Sequence, residues 1–144
     1  MRKIKSIALV AHDNRKKELI EWVELNYEIL MCYKLISTKS TGCLVEKVLK
    51  NKLSGDRKNS FNVVKLKPGM LGGELQLGAM IVEDRIDLVV FFGDPQEPQP
   101  HDVDIQAFLR VVVLYNIPTA CNRSTADFMI SSSFWKGEHG MAEK

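Results

Sequence analysis

Short apolar segments alternate along the chain with longer segments in which apolar residues recur every three or four positions. The short β-branched and aromatic runs predict strands, and the 3.6-residue period predicts amphipathic helices. Strands are predicted over Ile4–Val10, Tyr33–Ser37, Phe61–Leu66, Ile86–Phe92 and Ile117–Cys121. Helices are predicted from Asp13 to Leu30, around Leu44–Leu49, and over Gly72–Glu83, Ile105–Tyr115 and Ser124–Ile130. Five such units predict an α/β domain of three α/β/α layers with a five-stranded, mainly parallel sheet.

Polar or glycine-rich residues follow every predicted strand. In an open parallel sheet the carboxyl ends of the strands meet at one edge, where ligands bind at the switch point of the strand order. The segments delivered there are His12-Asp13, Thr38–Gly42, Pro68–Glu74, Asp94–Asp104 and Asn122–Thr125. The arrival of all five segments at one edge is a more specific signal than any single segment, and it predicts a binding site there.

The segment Arg85–Asp104 joins a buried strand to a stiff loop. Three of the five prolines lie between Pro95 and Pro100, and each proline restricts both itself and the residue before it. The loop carries acids and a histidine: Asp94, Glu97, His101, Asp102 and Asp104. It is typical of a rigid platform for a reaction; the alternative is a simple prolyl connection with Asp102 as a helix N-cap.

Two further loops have features of a binding site. The sequence STKSTG opens a helix with hydroxyls and N–H groups, as in phosphate sites, unless Ser40 or Thr41 is merely an N-cap. Lys16 and Lys39 could add positive charge there. The sequence GMLGGE presents Glu74 in the first turn of a helix, where an acid also complements the helix dipole.

Histidine and carboxylate side chains complete the candidate chemistry. His101 could act as an electrophile or a proton shuttle, and His12 is a second candidate unless it is a hydrogen-bonded structural residue. A phosphate cradle, a carboxylate base and a histidine together suit proton abstraction next to a carbonyl in a small phosphorylated substrate.

Composition and charge narrow the class of protein. The chain has 144 residues, 45% of them hydrophobic and 26% charged, with a net charge of +2. This predicts one globular domain over residues 1–144, with no nucleic-acid partner and no membrane span. Cys32, Cys43 and Cys121 lack CxxC spacing, so we expect reduced cytoplasmic thiols and no metal site.

Several sequence blocks together resemble the methylglyoxal synthase family. They are IALVAHDNRKKELIEWV, STKSTG, GMLGGELQLGAMI, IDLVVFFGDPQEPQPHDVDIQAFLR and NIPTACNRSTADFMI. The resemblance runs in order from about Ile4 to Ser131. It implies a homohexamer that eliminates phosphate from dihydroxyacetone phosphate to give methylglyoxal, without a metal or organic cofactor. Inorganic phosphate would be both a product and an inhibitor.

The resemblance also assigns roles to individual residues. It implies that Glu74, His101, Asp104 and Asp94 are catalytic, with Glu74 as the base and Arg110 supporting the acids. The substrate and its phosphate would be bound by His12, Lys16, Thr38, Ser40, Thr41 and Gly69. Lys39 and Gly73, which lie in the same two loops, are expected to contribute to this site as well. The helix N-terminus at Glu74 should favour the ionised carboxylate that a base needs.

Four positions depart from the family pattern. Glu74 replaces an aspartate and Lys39 replaces a glycine, whose position in a phosphate loop often has a positive φ that would strain lysine. Gly93 replaces a tryptophan, and a C-terminal segment with a late arginine has no counterpart before Lys144. Two other functions therefore stay open: a non-catalytic phospho-ligand-binding domain, like the effector domain of carbamoyl phosphate synthetase, and a lyase acting on a related phosphorylated keto compound.

Overall fold

Strands and helices alternate as the apolar pattern predicts. The structure, a computed structural model, describes residues 5–55, 57 and 61–133. The strands are β1 (Ser6–Ala11), β2 (Lys34–Ser37), β3 (Val63–Lys65), β4 (Leu88–Phe92) and β5 (Thr119–Ala120). The α-helices are α1 (Lys16–Leu25), α2 (Tyr27–Leu30), α3 (Lys39–Lys52), α4 (Gly73–Val82), α5 (Asp102–Leu114) and α6 (Arg123–Ser131). Short 3₁₀ helices at Asp13–Arg15 and Gly69–Leu71 precede α1 and α4.

The strands form one five-stranded sheet in the order β3-β2-β1-β4-β5. Neighbouring strands are parallel, and Ala8 pairs with Ile36 on one side and with Val89 on the other. The chain leaves β1 for β2 on one side and returns to β4 on the other, so the strand order reverses between β1 and β4. Their carboxyl ends form the switch point at which ligands bind in such sheets.

Helices cover both faces of the sheet, which confirms the predicted three layers. Alternate residues of β1 point to opposite faces: Ile7 and Leu9 join the core beneath α1, α3 and α6, whereas Ala8 and Val10 join the core beneath α4 and α5. Every residue of β1 and β4 is buried. Burial on both faces explains why these strands are continuous apolar runs without polar alternation.

The element boundaries differ from the predicted ones in several places. Asp13 does not cap α1 but begins a 3₁₀ turn, and α1 starts at Lys16. Asn26 interrupts the predicted first helix because its side-chain amide donates to the Trp22 carbonyl, a local bond that competes with the helix. The helix α5 begins at Asp102, with His101 rather than Asp102 at the N-cap.

The two edge strands are shorter than predicted. β3 contains Val63–Lys65 and β5 only Thr119–Ala120, since an edge strand has one neighbour to pair with and Pro118 lacks an N–H. Ile4, the expected start of β1, lies outside the described residues. In the part of the chain that the structure describes, no helix has the length and apolarity needed to cross a membrane.

Candidate active site

A cavity of about 260 Å³ lies at the predicted edge of the sheet. It is bounded by the segments that follow β1, β2, β3 and β4. Seven of the residues predicted from the sequence line this cavity: His12, Lys16, Thr38, Ser40, Gly69, Glu74 and His101. Residues from four separate segments therefore meet around one small space, as the switch-point rule predicts.

One end of the cavity is formed by the start of α3. Thr38, at the N-cap, has an extended backbone and its side chain makes no capping bond. The N–H groups of Lys39, Ser40 and Thr41 have no partner within the helix, as at every α-helix start. Lys16 lies nearby and pairs with Asp13. Open N–H groups, hydroxyls and one ammonium form a suitable cradle for a phosphate.

One hydroxyl of the STKSTG loop, that of Thr41, makes a structural hydrogen bond. Thr41 is buried, and its Oγ1 donates to the carbonyl oxygen of Ala11 at 3.4 Å. It thereby connects α3 to the end of β1, next to the cavity. Thr41, although predicted to bind the phosphate, does not line the cavity.

Lys39 does not have the backbone that its replacement of a glycine suggests. It is the first residue of α3, and in the described chain positive φ values outside glycine occur at Asp84 and Asn116. The expected strain is therefore wrong, because the negative φ of a right-handed helix is open to every L-residue side chain. The Lys39 side chain is exposed and does not line the cavity.

The other end of the cavity contains a buried carboxylate beside a histidine. Glu74, in the first turn of α4, is only 1% exposed. Its Oε2 lies 3.6 Å from Nε2 of His101, and its Oε1 has no hydrogen-bond partner. Nδ1 of His101 is likewise buried without a partner. Unpartnered polar atoms in a cavity are available to a ligand.

Burial sets the protonation behaviour of this carboxylate. Loss of water around Glu74 raises the pKa of its carboxyl above the ordinary 4.5, with His101 acting in the opposite direction and Asp104 adding to the rise. The expectation that the helix N-terminus would favour ionisation is thus outweighed, because desolvation penalises the charged form more strongly. A raised pKa in a cavity is common among acid–base residues.

Two glycines permit this close arrangement. A Cβ atom on Gly69 would lie 2.6 Å from Nε2 of His101 and 2.9 Å from Oε1 of Glu74. A Cβ atom on Gly73 would lie 2.3 Å from the Lys67 carbonyl oxygen and 2.7 Å from Cγ2 of Thr38. Gly73 therefore lies beside the cavity rather than in its lining, and it lets the start of α4 approach Thr38.

His12 is held in one tautomer. The Asp94 N–H donates to its Nδ1 at 2.9 Å, so the proton of the neutral ring resides on Nε2, which is buried without a partner. Burial lowers the pKa of His12, and the neighbouring His101 lowers it further. The His12 and His101 rings are arranged edge to face, with 6.5 Å between their centroids. A neutral His12 offers the cavity an N–H donor.

Three of the predicted acid and arginine positions lie outside the cavity lining. Asp94 accepts hydrogen bonds from Asn14 and from the Gln96 N–H, which lower the pKa of its carboxyl. Asp104 acts on Glu74 through its charge. Arg110 is exposed on α5. The family resemblance implies a part in the reaction for all three; in the structure, the backbone N–H of Asp94 contacts the cavity residue His12.

Residues that the sequence did not single out as ligands also line the cavity. Asp13 and Gln99 contribute polar atoms, and Met70 and Pro68 contribute apolar contact. The position of Asp13 directly after β1 was the available signal. A neighbouring cavity of about 540 Å³ shares His12 and is bounded by Gly93 and Asp94, but Glu74 and His101 do not line it. Within the described residues, no group of three or more His, Cys, Asp or Glu could hold a metal ion.

Comparisons with known proteins match this chain over most of its length. The family model described as MGS-like domain matches residues 18–121. A methylglyoxal synthase from Maridesulfovibrio salexigens is 55% identical over 141 residues, covering 96% of this chain and 90% of that protein. One from Coxiella burnetii is 46% identical over 136 residues, covering 94% and 88%. The crystal structure of methylglyoxal synthase from Elizabethkingia anophelis NUHP1 aligns with a TM-score of 0.77 at 43% identity, covering 94% of this chain and 82% of that chain.

Proposed function

This chain belongs to the methylglyoxal synthase family, and we propose that it converts dihydroxyacetone phosphate into methylglyoxal and inorganic phosphate in the cavity bounded by Glu74, His101 and the start of α3. Family membership rests on the matching domain model and on relatives at 46–55% identity. The protein is thus a carbon–oxygen lyase acting on a phosphate ester. In the proposed reaction, Glu74, the two histidines and the start of α3 take distinct roles.

Glu74 is the base. Its unpartnered Oε1 can accept the proton from the hydroxyl-bearing carbon of the substrate, next to the carbonyl. Burial raises the pKa of this carboxyl, and a base whose pKa lies closer to the working pH removes a carbon-bound proton more effectively. The electrons of the broken C–H bond then form an enediolate.

The two histidines stabilise the oxygen that becomes negative. His101 lies beside Glu74 and contacts the carbonyl region, while the Nε2–H of neutral His12 is a second donor in the same cavity. Donors that are fixed before the reaction stabilise developing charge without having to reorganise. Both rings are constrained: His12 by the Asp94 N–H and His101 by its position against Gly69.

The start of α3 holds the phosphate while it leaves the substrate. The electrons of the enediolate expel the phosphate from the carbon to which it is esterified, and the departing phosphate keeps the electron pair of the broken C–O bond. Ser40, Thr38 and Lys16, with the open N–H groups of α3, hold the dianion and stabilise the charge it gains. The resulting enol takes up a proton on carbon and becomes methylglyoxal.

The observation that carries this mechanism is the buried Glu74 carboxylate, 1% exposed, beside His101 in a cavity with a phosphate-binding helix start. The test is to incubate the purified protein with dihydroxyacetone phosphate and to measure methylglyoxal and free phosphate. Both should form in equal amounts. Turnover no higher than that of a His101→Ala variant would contradict the enzymatic function.

A non-catalytic phosphate-binding domain accounts less well for the site. Such a domain needs the α3 start but has no use for a buried carboxylate, which costs folding free energy. Retention of Glu74 and His101 in contact therefore favours catalysis. The same assay, repeated with a larger phosphorylated keto compound, separates dihydroxyacetone phosphate from related substrates, because a cavity of about 260 Å³ favours a small one.

Assembly and location are part of the proposal. A homohexamer is supported by exposed apolar side chains on α4 and α5, among them Leu75, Val82, Val113 and Leu114, since such patches commonly mark subunit contacts. Free cysteines at positions 32, 43 and 121 suit the reducing cytoplasm. There the enzyme would open a bypass of glycolysis that inorganic phosphate inhibits.

A further inference from the structure

The turn after β1 and the loop after β4 are joined by side-chain contacts that involve no substrate-binding group. Asn14 donates from Nδ2 to Oδ2 of Asp94 at 2.8 Å. Arg15 donates from Nη1 to the Gly93 carbonyl oxygen at 3.4 Å. These residues are separated by about 80 positions in the sequence and meet because β1 and β4 are neighbours in the sheet.

The joined loop supplies the bond that orients His12. The Asp94 N–H donates to Nδ1 of His12, while the Asp94 carboxylate accepts from Asn14 and from the Gln96 N–H. Asp94 thus links His12 to Asn14 by two hydrogen bonds between the two loops. Because the same carboxylate also accepts from the Gln96 N–H and so closes the turn at Asp94, the hydrogen bond from Asn14 restrains the backbone that carries the Asp94 N–H.

We propose that Asn14 is a positioning residue that, through Asp94, holds His12 in the tautomer with its proton on Nε2 and directs that donor toward the substrate. Asn14 contributes no atom to the lining of the active-site cavity. The expected effect of Asn14 on turnover rests on the proposed function, whereas its expected effect on the His12 tautomer does not.

Neighbouring packing makes His12 sensitive to this loop. The Phe91 ring lies edge-on to the imidazole with 5.3 Å between centroids. A Cβ atom on Gly93 would be 2.8 Å from Cε1 of Phe91 and 3.4 Å from Cε1 of His12. Because there is little free space around Gly93, a shift of the Gly93–Asp94 backbone should also move the His12 imidazole.

The test compares Asn14→Asp with the parental protein. This variant keeps the size of the side chain but replaces the amide donor by a carboxylate that repels Asp94. Asn14→Ala removes the donor without adding charge. Asn62→Asp is the matched control, because Asn62 is exposed just before β3, at the opposite edge of the sheet. Thermal melts establish that each variant is folded.

The direct readout is nitrogen NMR of the histidine rings, with the His12 signals assigned from a His12→Gln variant. In the parental protein, Nε2 should carry the proton and Nδ1 should be an acceptor. Both Asn14 variants should move these signals toward a mixture of tautomers, and Asn62→Asp should not. Unchanged His12 signals in Asn14→Asp overturn the proposal, whatever happens to activity.

Kinetics supply the second readout. Losing a hydrogen bond to a charged group should lower kcat for dihydroxyacetone phosphate by about tenfold, while inhibition by inorganic phosphate, which depends on α3 and Lys16, stays unchanged. Parental kcat in both Asn14 variants overturns the positioning role. Absence of turnover in the parental protein contradicts the proposed function instead, and the NMR comparison then decides the inference on its own.

Discussion

Replacing Glu74 by glutamine separates the chemical role of this residue from its structural one. The exchange keeps the volume of the side chain but removes the ability to accept a proton. Since Glu74 is 1% exposed and its Oε1 has no partner, the amide enters the same space with little rearrangement. Turnover should fall by about 10²–10⁴-fold, the usual contribution of a general base. Inhibition by phosphate should persist, because the cradle at α3 is untouched.

The same exchange should stabilise the fold. Burial raises the pKa of Glu74 above 4.5, so the folded protein holds this proton more tightly than the unfolded chain does. Stability is therefore lost as the pH rises from 4.5 through the raised folded pKa, where ionisation must occur inside the protein. Glu74→Gln should therefore be more stable than the parental protein near neutral pH, and the gain should vanish below pH 4.5, where the carboxyl is protonated in both states.

Steady-state formation of methylglyoxal and urea unfolding at several pH values measure the two effects. The acid limb of kcat/KM in the parental enzyme should lie above the ordinary carboxyl pKa of 4.5, because the base works only when ionised. Glu74→Asp is the control that keeps a carboxylate, and it should retain activity. Glu74→Gln turning over at the parental rate would refute the role of Glu74 as base. A loss of stability at neutral pH would refute the cost assigned to its burial.

The remaining predictions concern the glycine beside the base, the cations and the assembly. Gly69→Ala should lower kcat by about a hundredfold, since its Cβ must displace Glu74 or His101. Gly78→Ala, whose Cβ meets nothing within 4 Å, should be active in the same kinetic assay. Lys16→Ala should weaken phosphate binding, measured by calorimetry, more than Lys39→Ala does, because only Lys16 lines the cavity; equal losses would contradict this. Light scattering should detect a homohexamer, and a strict monomer at micromolar concentration would contradict it.

The layers of the fold and the edge that carries the site follow from the sequence because both depend on simple periodicity. Continuous apolar runs such as Ile86–Phe92 indicate strands buried on both faces, and alternation with helices makes the sheet parallel. Parallel strands then place their following loops together. His12, Thr38, Glu74 and His101 could thus be assigned to one site although they are far apart in the chain.

The strength of competing interactions could not be predicted in this way. The position of Glu74 in a helix start indicates a favourable dipole, but the degree of burial that outweighs the dipole depends on packing against Gly69 and His101. The positive charge of Lys39 predicted a side-chain contact with the phosphate, whereas at the start of α3 its backbone N–H is the available group. The bond between Asn14 and Asp94 joins two loops and has no local periodic signal.

The burial of its carboxylate argues that Glu74 serves chemistry rather than the stability of the fold. An unpartnered, desolvated Oε1 costs stability and satisfies no group of the fold. Its oxygens occupy the space that a side chain at Gly69 would need, so the loop and the longer acid fit each other. A carboxylate deprived of water is a stronger base, and it meets the substrate without first shedding a hydration shell. The features that weaken the fold at this point are therefore those that a proton-abstracting group requires.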